Sequence, residues 1–151
     1  MGFRTLSEVR AYQAAREFKR EIYRLLASSA RAQNDFEFRS QLRRAARSCV
    51  SNIAEGFGRH LAGEFIYFLR ISRGSLHEAL EWIDDGVDSG YFDAASCRRA
   101  RELGDKAGRL TTSLIKSLKP FVRPSRPTTK AKKADPAKPP QGPLPARTKD
   151  S

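Results

Sequence analysis

Apolar residues return along this chain at alternating three- and four-residue intervals, the spacing of one face of an α-helix. In residues 6–28, Leu6, Val9, Phe18, Ile22 and Leu25 keep that rhythm, with Ser7 placed as an N-cap and Glu8 in the first turn. The small, polar stretch 28–34 reads as a connection. From Phe36 to Glu55, Leu42, Ala46, Cys49 and Ile53 step by 4, 3 and 4. Gly56 and Gly58 predict the stop, because glycine supplies the left-handed conformation that closes a helix. A third helix is predicted from Leu61 to Ser89, ended by Gly90, with the seam Phe65, Leu69, Ser72, Leu76, Leu80, Ile83 and Val87. A fourth opens after Phe92 with Asp93 as N-cap and runs to Lys119, its seam being Ala100, Leu103, Ala107, Leu110 and Leu114. Narrow three-four seams belong to helices packed nearly antiparallel. The pattern predicts an all-α fold, an antiparallel up-down four-helix bundle over residues 1–119.

Composition agrees. All eight prolines of the 151 residues lie at position 120 or beyond. A proline-free stretch of that length argues against a loop-rich or β-rich fold, since turns recruit proline. Residues 120–151 are rich in Pro, Lys, Ala and Thr and hold few bulky apolar groups, so they are expected to form a disordered, basic tail. The start of the chain carries Arg4 and Glu8 and no apolar h-region, and is not expected to be a signal peptide. The longest apolar run, Phe65 to Leu69, is far short of the roughly 18 residues that cross a bilayer. Cys49 and Cys97 are too few for a disulfide framework and fit no zinc spacing. The expectation is a cytoplasmic chain with reduced thiols.

The net charge of +12 changes the picture. Residues 1–118 hold 20 Lys and Arg against 15 Asp and Glu, and 17 of those 20 are arginine. Arginine is favoured where planar, multi-donor contact with phosphate or carboxylate matters. Arg39, Arg43 and Arg47 are four apart and stack along the second helix, with Arg44 beside them and Arg59 just beyond. Like charges at that spacing oppose each other. One offsetting partner is the acidic row Glu78, Glu81, Asp85 and Asp88 with Asp84, on the same or another subunit; the other is nucleic-acid phosphate. Arg98, Arg99, Arg101 and Arg109 form a second basic group, and Arg70 and Arg73 a third. Summed with the tail, the arginines favour an RNA or DNA backbone, through Arg39, Arg43, Arg44, Arg47, Arg59, Arg98, Arg99, Lys130, Lys132 and Lys133.

The run Phe65-Ile66-Tyr67-Phe68-Leu69, with Ile71 and Trp82 off the inward seam, covers more of the third helix than one stripe requires. It predicts a homo-oligomer interface built on Phe65, Ile66, Phe68, Ile71 and Trp82.

Chemistry-bearing patterns are scarce. His60 follows the glycine-rich turn, and His77 lies near Glu78 and Glu81, but the Glu-x-x-His pairs that a bundle metal site draws from two helices do not occur. Gly56-Phe57-Gly58 lacks the Lys-Ser/Thr ending and preceding strand of a phosphate loop. Cys49 lies on an apolar seam and reads as core. No catalytic residue, metal or cofactor is expected.

Ser51-Asn52-Ile53-Ala54-Glu55-Gly56 and Phe57-Gly58-Arg59, then Glu64-Phe65, Phe68-Leu69, Gly74-Ser75-Leu76 and Glu78, form an ordered set of motifs. With Phe3-Arg4-Thr5-Leu6, Tyr12, Ala15 and the closing Leu114-Ile115-Lys116-Ser117-Leu118, the chain resembles the bacterial four-helix-bundle family first described from 23S rRNA intervening sequences. The resemblance covers about residues 3–119. It implies an antiparallel bundle assembled as a homopentamer. A related branch, the accessory proteins of diversity-generating retroelements, binds a reverse transcriptase and its template RNA, which makes a reverse transcriptase a candidate partner here. The matched residues themselves read as architecture: Ser48, Ser51 and Ala54 let a neighbouring helix approach, and Ser75 and Glu78 are placed to bond Asn52 and Glu55. The alternative function is an oligomeric scaffold for a protein partner, with no nucleic-acid role.

Overall fold

The computed structural model describes residues 2–123. Within them the chain forms α1 (Arg10–Ala27), α2 (Ala30–Asn34), α3 (Phe36–Gly58), α4 (Ala62–Asp88) and α5 (Ala94–Leu118), with short 3-10 turns at Leu6–Glu8 and Lys119–Phe121. The four long helices form an antiparallel bundle in which α1 lies between α3 and α5, and α4 closes the ring by packing on both. The core is one continuous cluster. Phe18, Ile22 and Leu25 of α1 meet Leu42 and Ile53 of α3, Phe65, Leu69 and Ile83 of α4, and Cys97 and Ala100 of α5, all fully buried.

Local chemistry explains the element ends, and corrects several readings. Ser7 does not cap α1; it lies in the 3-10 turn, and Val9, fully buried, holds the cap position without a side-chain bond. The connection after α1 contains a helical turn of its own, α2, because the Ser29 hydroxyl accepts from the Ala32 N–H at 3.2 Å. Asp35 then caps α3 by accepting from the Phe38 N–H at 2.9 Å. Asp93 caps α5 as expected, accepting from the Ser96 N–H at 2.7 Å.

Gly56 does not stop α3; the helix runs through it and ends at Gly58, and neither glycine takes the left-handed conformation. Gly56 is buried, and a Cβ there would come within 2.8 Å of both Phe65 Cδ2 and Phe68 Cβ. Its missing side chain lets the start of α4 approach. The left-handed residue at this turn is His60, φ 58°, one of the few non-glycine types enriched there. By contrast, Gly90 (φ 70°) closes α4 as predicted. The Gly90 N–H donates to Val87 O at 3.0 Å and the Tyr91 N–H to Gly86 O at 2.8 Å, the paired bonds of a Schellman closure.

The α3–α4 seam is polar at its centre. Ser48 and Ser75 hydroxyls share a bond at 2.8 Å, Asn52 Nδ2 donates to Ser48 Oγ at 2.9 Å, and Ser72 Oγ donates to Cys49 O at 2.6 Å. Asn52 thus reaches Ser75 through Ser48, as its position suggested. Glu55 instead pairs with Arg59 on its own helix at 2.6 Å, and Glu78 takes no part. At the C-terminus the helical body extends past the expected boundary at 119 into the Lys119–Phe121 turn. The rest of the expected tail, including Lys130, Lys132 and Lys133, lies outside the described residues.

Candidate nucleic-acid interface

The arginines singled out on α3 separate onto two edges of that helix. On the edge facing α1, the Arg43 guanidinium lies over the Tyr23 ring, 4.8 Å from its centroid. One turn earlier, Arg39 Nη1 donates to Gln33 O at 2.7 Å, and its guanidinium lies over the exposed Phe36 ring at 5.6 Å. Arg47, a turn later, is exposed. The other edge, toward α4, is held by Ser48 and Asn52. There Arg59, paired with Glu55, lies over the Phe68 ring at 5.5 Å. Arg44 stands exposed, 100° around the helix from Arg43.

Within one chain the acidic row of α4 does not neutralise the α3 arginines. Among the described residues, none of Arg39, Arg43, Arg44 and Arg47 has a carboxylate within ion-pair distance, and the one paired member of that row, Asp84, binds Arg101 of α5. The reason is placement. Arg43 leans toward α1, whereas α4 packs on the opposite edge of α3.

On α5, Arg98 and Arg99 part company. Arg98 is exposed, while Arg99 Nε lies 3.6 Å from Glu21 Oε2. Glu21 is buried and also accepts from Arg24 Nε at 3.0 Å. That bond, reinforced by the positive charges of Arg24 and Arg99, holds the Glu21 carboxyl below its ordinary value although burial pushes it the other way. Arg99 therefore steadies a buried carboxylate between α1 and α5. Lys106 ties the same helices through Glu17 at 3.0 Å.

The α1 side of the Arg39–Arg43–Arg47 edge was missed in the sequence. The guanidinium of Arg16 lies over the Tyr12 ring at 5.6 Å, and Lys19 Nζ lies over the Tyr23 ring at 6.0 Å. Tyr12, Arg16, Lys19 and Tyr23 fall within one 60° sector of α1. The signal was readable: Tyr12 and Arg16 are four apart, as are Lys19 and Tyr23, so each pair meets on one helix face. Across the α1–α3 edge, five cations now alternate with two half-buried tyrosines. A cation resting on a ring loses fewer rotamers when it meets a phosphate, and guanidinium planes and aromatic rings both stack on bases.

The expected oligomer interface also changes. Phe65 and Ile66 are buried inside the chain's own core, Phe65 edge-on to Phe57 at 6.1 Å, in the space Gly56 leaves open. Phe68 and Trp82 are half-buried, Trp82 edge-on to Phe38 at 5.9 Å. Of the five, Ile71 is exposed, and Tyr67 beside it is 60% exposed. The run of five apolar residues is therefore mostly inward-facing, and the apolar surplus is smaller than the sequence suggested.

Among the described residues, no three His, Cys, Asp or Glu side chains are grouped to hold a metal ion, and no helix is long and apolar enough to cross a membrane. Burial pushes the Cys49 thiol up to about 12.

The description 23S rRNA-intervening sequence protein matches residues 7–113. No curated protein matches the chain at a significant level. A crystal structure of a protein of unknown function from the S23 ribosomal protein family of Bacteroides thetaiotaomicron is similar in fold, with a TM-score of 0.62 at 22% identity, over 70% of this chain and 98% of that one.

Proposed function

The chain belongs to the 23S rRNA-intervening sequence protein family, and from that premise and the geometry above we propose that it is a non-enzymatic, self-associating bundle that binds RNA or DNA through backbone phosphates. The observation carrying this reading is the α1–α3 edge, where Arg43 and Lys19 share the Tyr23 ring and, among the described residues, none of Arg16, Lys19, Arg39, Arg43 and Arg47 has a carboxylate within ion-pair distance. An unneutralised row of cations is costly in an isolated helix and becomes favourable once phosphates displace its counterions. Arg44, Arg59 and Arg98 lie on other faces and add charge without sharing this surface. Arg99 and Arg101 serve the bundle.

The contacts are to phosphate, so sequence preference is small. The tyrosines give structured or single-stranded RNA an advantage over duplex DNA, because unstacked bases can reach them. The basic segment beyond residue 123 adds long-range attraction.

A salt titration of binding to structured RNA and to duplex DNA tests the proposal, comparing the whole chain with residues 1–123. Phosphate binding gives a linear fall of log affinity with log salt, with a slope near 0.9 per contact on duplex DNA. The truncated bundle is expected to keep a steep slope. If it does not bind at low salt, the arginines serve assembly, and the scaffold function takes over.

A further inference from the structure

Two surfaces of this chain carry charge of opposite sign, unpaired among the described residues, beside apolar groups. The first is the outer stripe of α4. Tyr67, Ile71, Gly74, Glu78, Glu81, Asp85 and Asp88 follow each other at steps of 4, 3, 4, 3, 4 and 3, and every one is exposed. This is a second seam, with the period of a helix that meets another helix. Its first half is apolar. In its second half, none of the four carboxylates has a cation within ion-pair distance among the described residues. They stand toward the negative end of the helix dipole, where carboxylates are unfavourable without cations from elsewhere.

The second surface is the cleft between α4 and α5, with a volume of about 490 Å³. Leu76 and Leu80 form its apolar floor, and Arg73, Arg109 and Lys116 rim it against one carboxylate, Asp105. None of these three cations is in an ion pair among the described residues. From Gly104 to Lys116 the cleft follows α5 for about 18 Å, and Ile71 to Glu81 spans about 15 Å of helix, so the lengths match.

We propose that the outer stripe of α4 in one copy seats in the α4–α5 cleft of a second copy. Ile71 covers Leu76 and Leu80, and Glu78 and Glu81 meet Arg109 and Lys116. The chain's own segment after residue 123 does not suit the basic-rimmed cleft, since it carries seven Lys and Arg against two Asp, and with Leu144 as its one large apolar residue it offers little to set against Tyr67 and Ile71. The arginine edge of α3 offers the stripe cations, but its rings, Tyr12, Tyr23 and Phe36, already lie under cations of the same chain. Stripe and cleft are different surfaces, so the contact can recur from copy to copy in a ring or filament, or be exchanged reciprocally about a two-fold axis. The inference rests on the reading that the chain self-associates and names the surfaces that do it.

Two double variants of the full chain test it, with mass in solution measured by light scattering. Glu78→Lys with Glu81→Lys reverses the stripe, and Arg109→Glu with Lys116→Glu reverses the cleft rim. All four positions are exposed, so circular dichroism should match the parent. Each variant alone is expected to fall to the mass of a single chain. A chain carrying all four changes is expected to regain the parental mass, because every stripe–cleft contact then pairs opposite charges whatever the number of copies. If both variants keep the parental mass, or the fourfold variant stays dissociated with its helicity intact, the assignment of surfaces is wrong while self-association stands. A parent chain that is monomeric at every concentration overturns both.

Discussion

The Tyr91 hydroxyl donates to Asp35 Oδ2 at 2.7 Å, while Asp35 Oδ1 accepts from the first turn of α3. One carboxylate thus caps a helix and anchors the loop between α4 and α5, 56 residues away. Arg31 completes the join, donating to Gly90 O at 3.0 Å and lying over the Tyr91 ring. Through these bonds, the short helix α2 is tied to the far end of α4.

A pH dependence follows from that join. The Tyr91 hydroxyl first, then the Phe38 N–H, holds the Asp35 carboxyl below its ordinary value of 3.8. A carboxylate with a depressed folded value stabilises the fold above its unfolded value, and the contribution is lost as pH falls through the folded one. Thermal melts of the parent should therefore lose stability on acidification below about pH 4. Asp35→Ala should melt lower at neutral pH and show a shallower loss over that range.

Gly56 and Gly74 should respond oppositely to alanine. At Gly56 a Cβ would meet Phe65 and Phe68 within 2.8 Å, so Gly56→Ala is expected to cost about 1–3 kcal/mol through overpacking. At Gly74, mid-helix and exposed, nothing lies within 4 Å, and Gly74→Ala should stabilise by up to about 1 kcal/mol. Urea denaturation of both variants measures the difference.

These glycines also mark where the sequence was readable and where it was not. The inner seam of α4, from Phe65 to Val87, was legible because repeated three-four spacing leaves one solution for which side faces in. Gly90 was legible because it follows the last seam residue. Gly56 was misread because a glycine after an apolar run signals either a chain reversal or a close approach, and spacing does not distinguish them. The five residues of α2 have no period to detect; a single Ser29 cap and the Arg31 contacts hold them. Arg39, Arg43 and Arg47 were correctly grouped on one face, but which neighbour that face met depended on bundle order. For the same reason Tyr12 and Tyr23 escaped notice, although their four-residue pairing with Arg16 and Lys19 was visible.

The thiols should report on unfolding. Cys49 is buried, donates to Ala45 O at 3.2 Å and has its thiol pushed up to about 12, and burial raises Cys97 as well. The reactive species is the thiolate. Alkylation of the native chain at pH 8 should be slow at both cysteines and track global opening, with rapid labelling in denaturant. Fast labelling of native Cys49 would contradict the packing of the α3–α4 seam.

Arg43 and Tyr23 should act together. Tyr23→Phe keeps a ring beneath the guanidinium and should leave RNA affinity nearly unchanged. Tyr23→Leu removes it and should weaken binding by several-fold, in line with the roughly 0.5–1 kcal/mol of an exposed cation–π contact. Arg43→Gln should weaken binding further, and adding Tyr23→Leu to it should have little extra effect. A double-mutant cycle on RNA affinity gives the coupling.

The most direct test of the account removes equal charge from two faces. Arg39, Arg43 and Arg47 are changed to Gln in one full-length variant, and the exposed Arg44, Arg70 and Arg98 in another, and RNA affinity is measured across a salt series. The account predicts that the first variant loses slope by about 0.7–0.9 for each phosphate contact removed, with helicity intact, while the second stays close to the parent. Equal losses in both would mean that net charge, not the α1–α3 edge, attracts the nucleic acid.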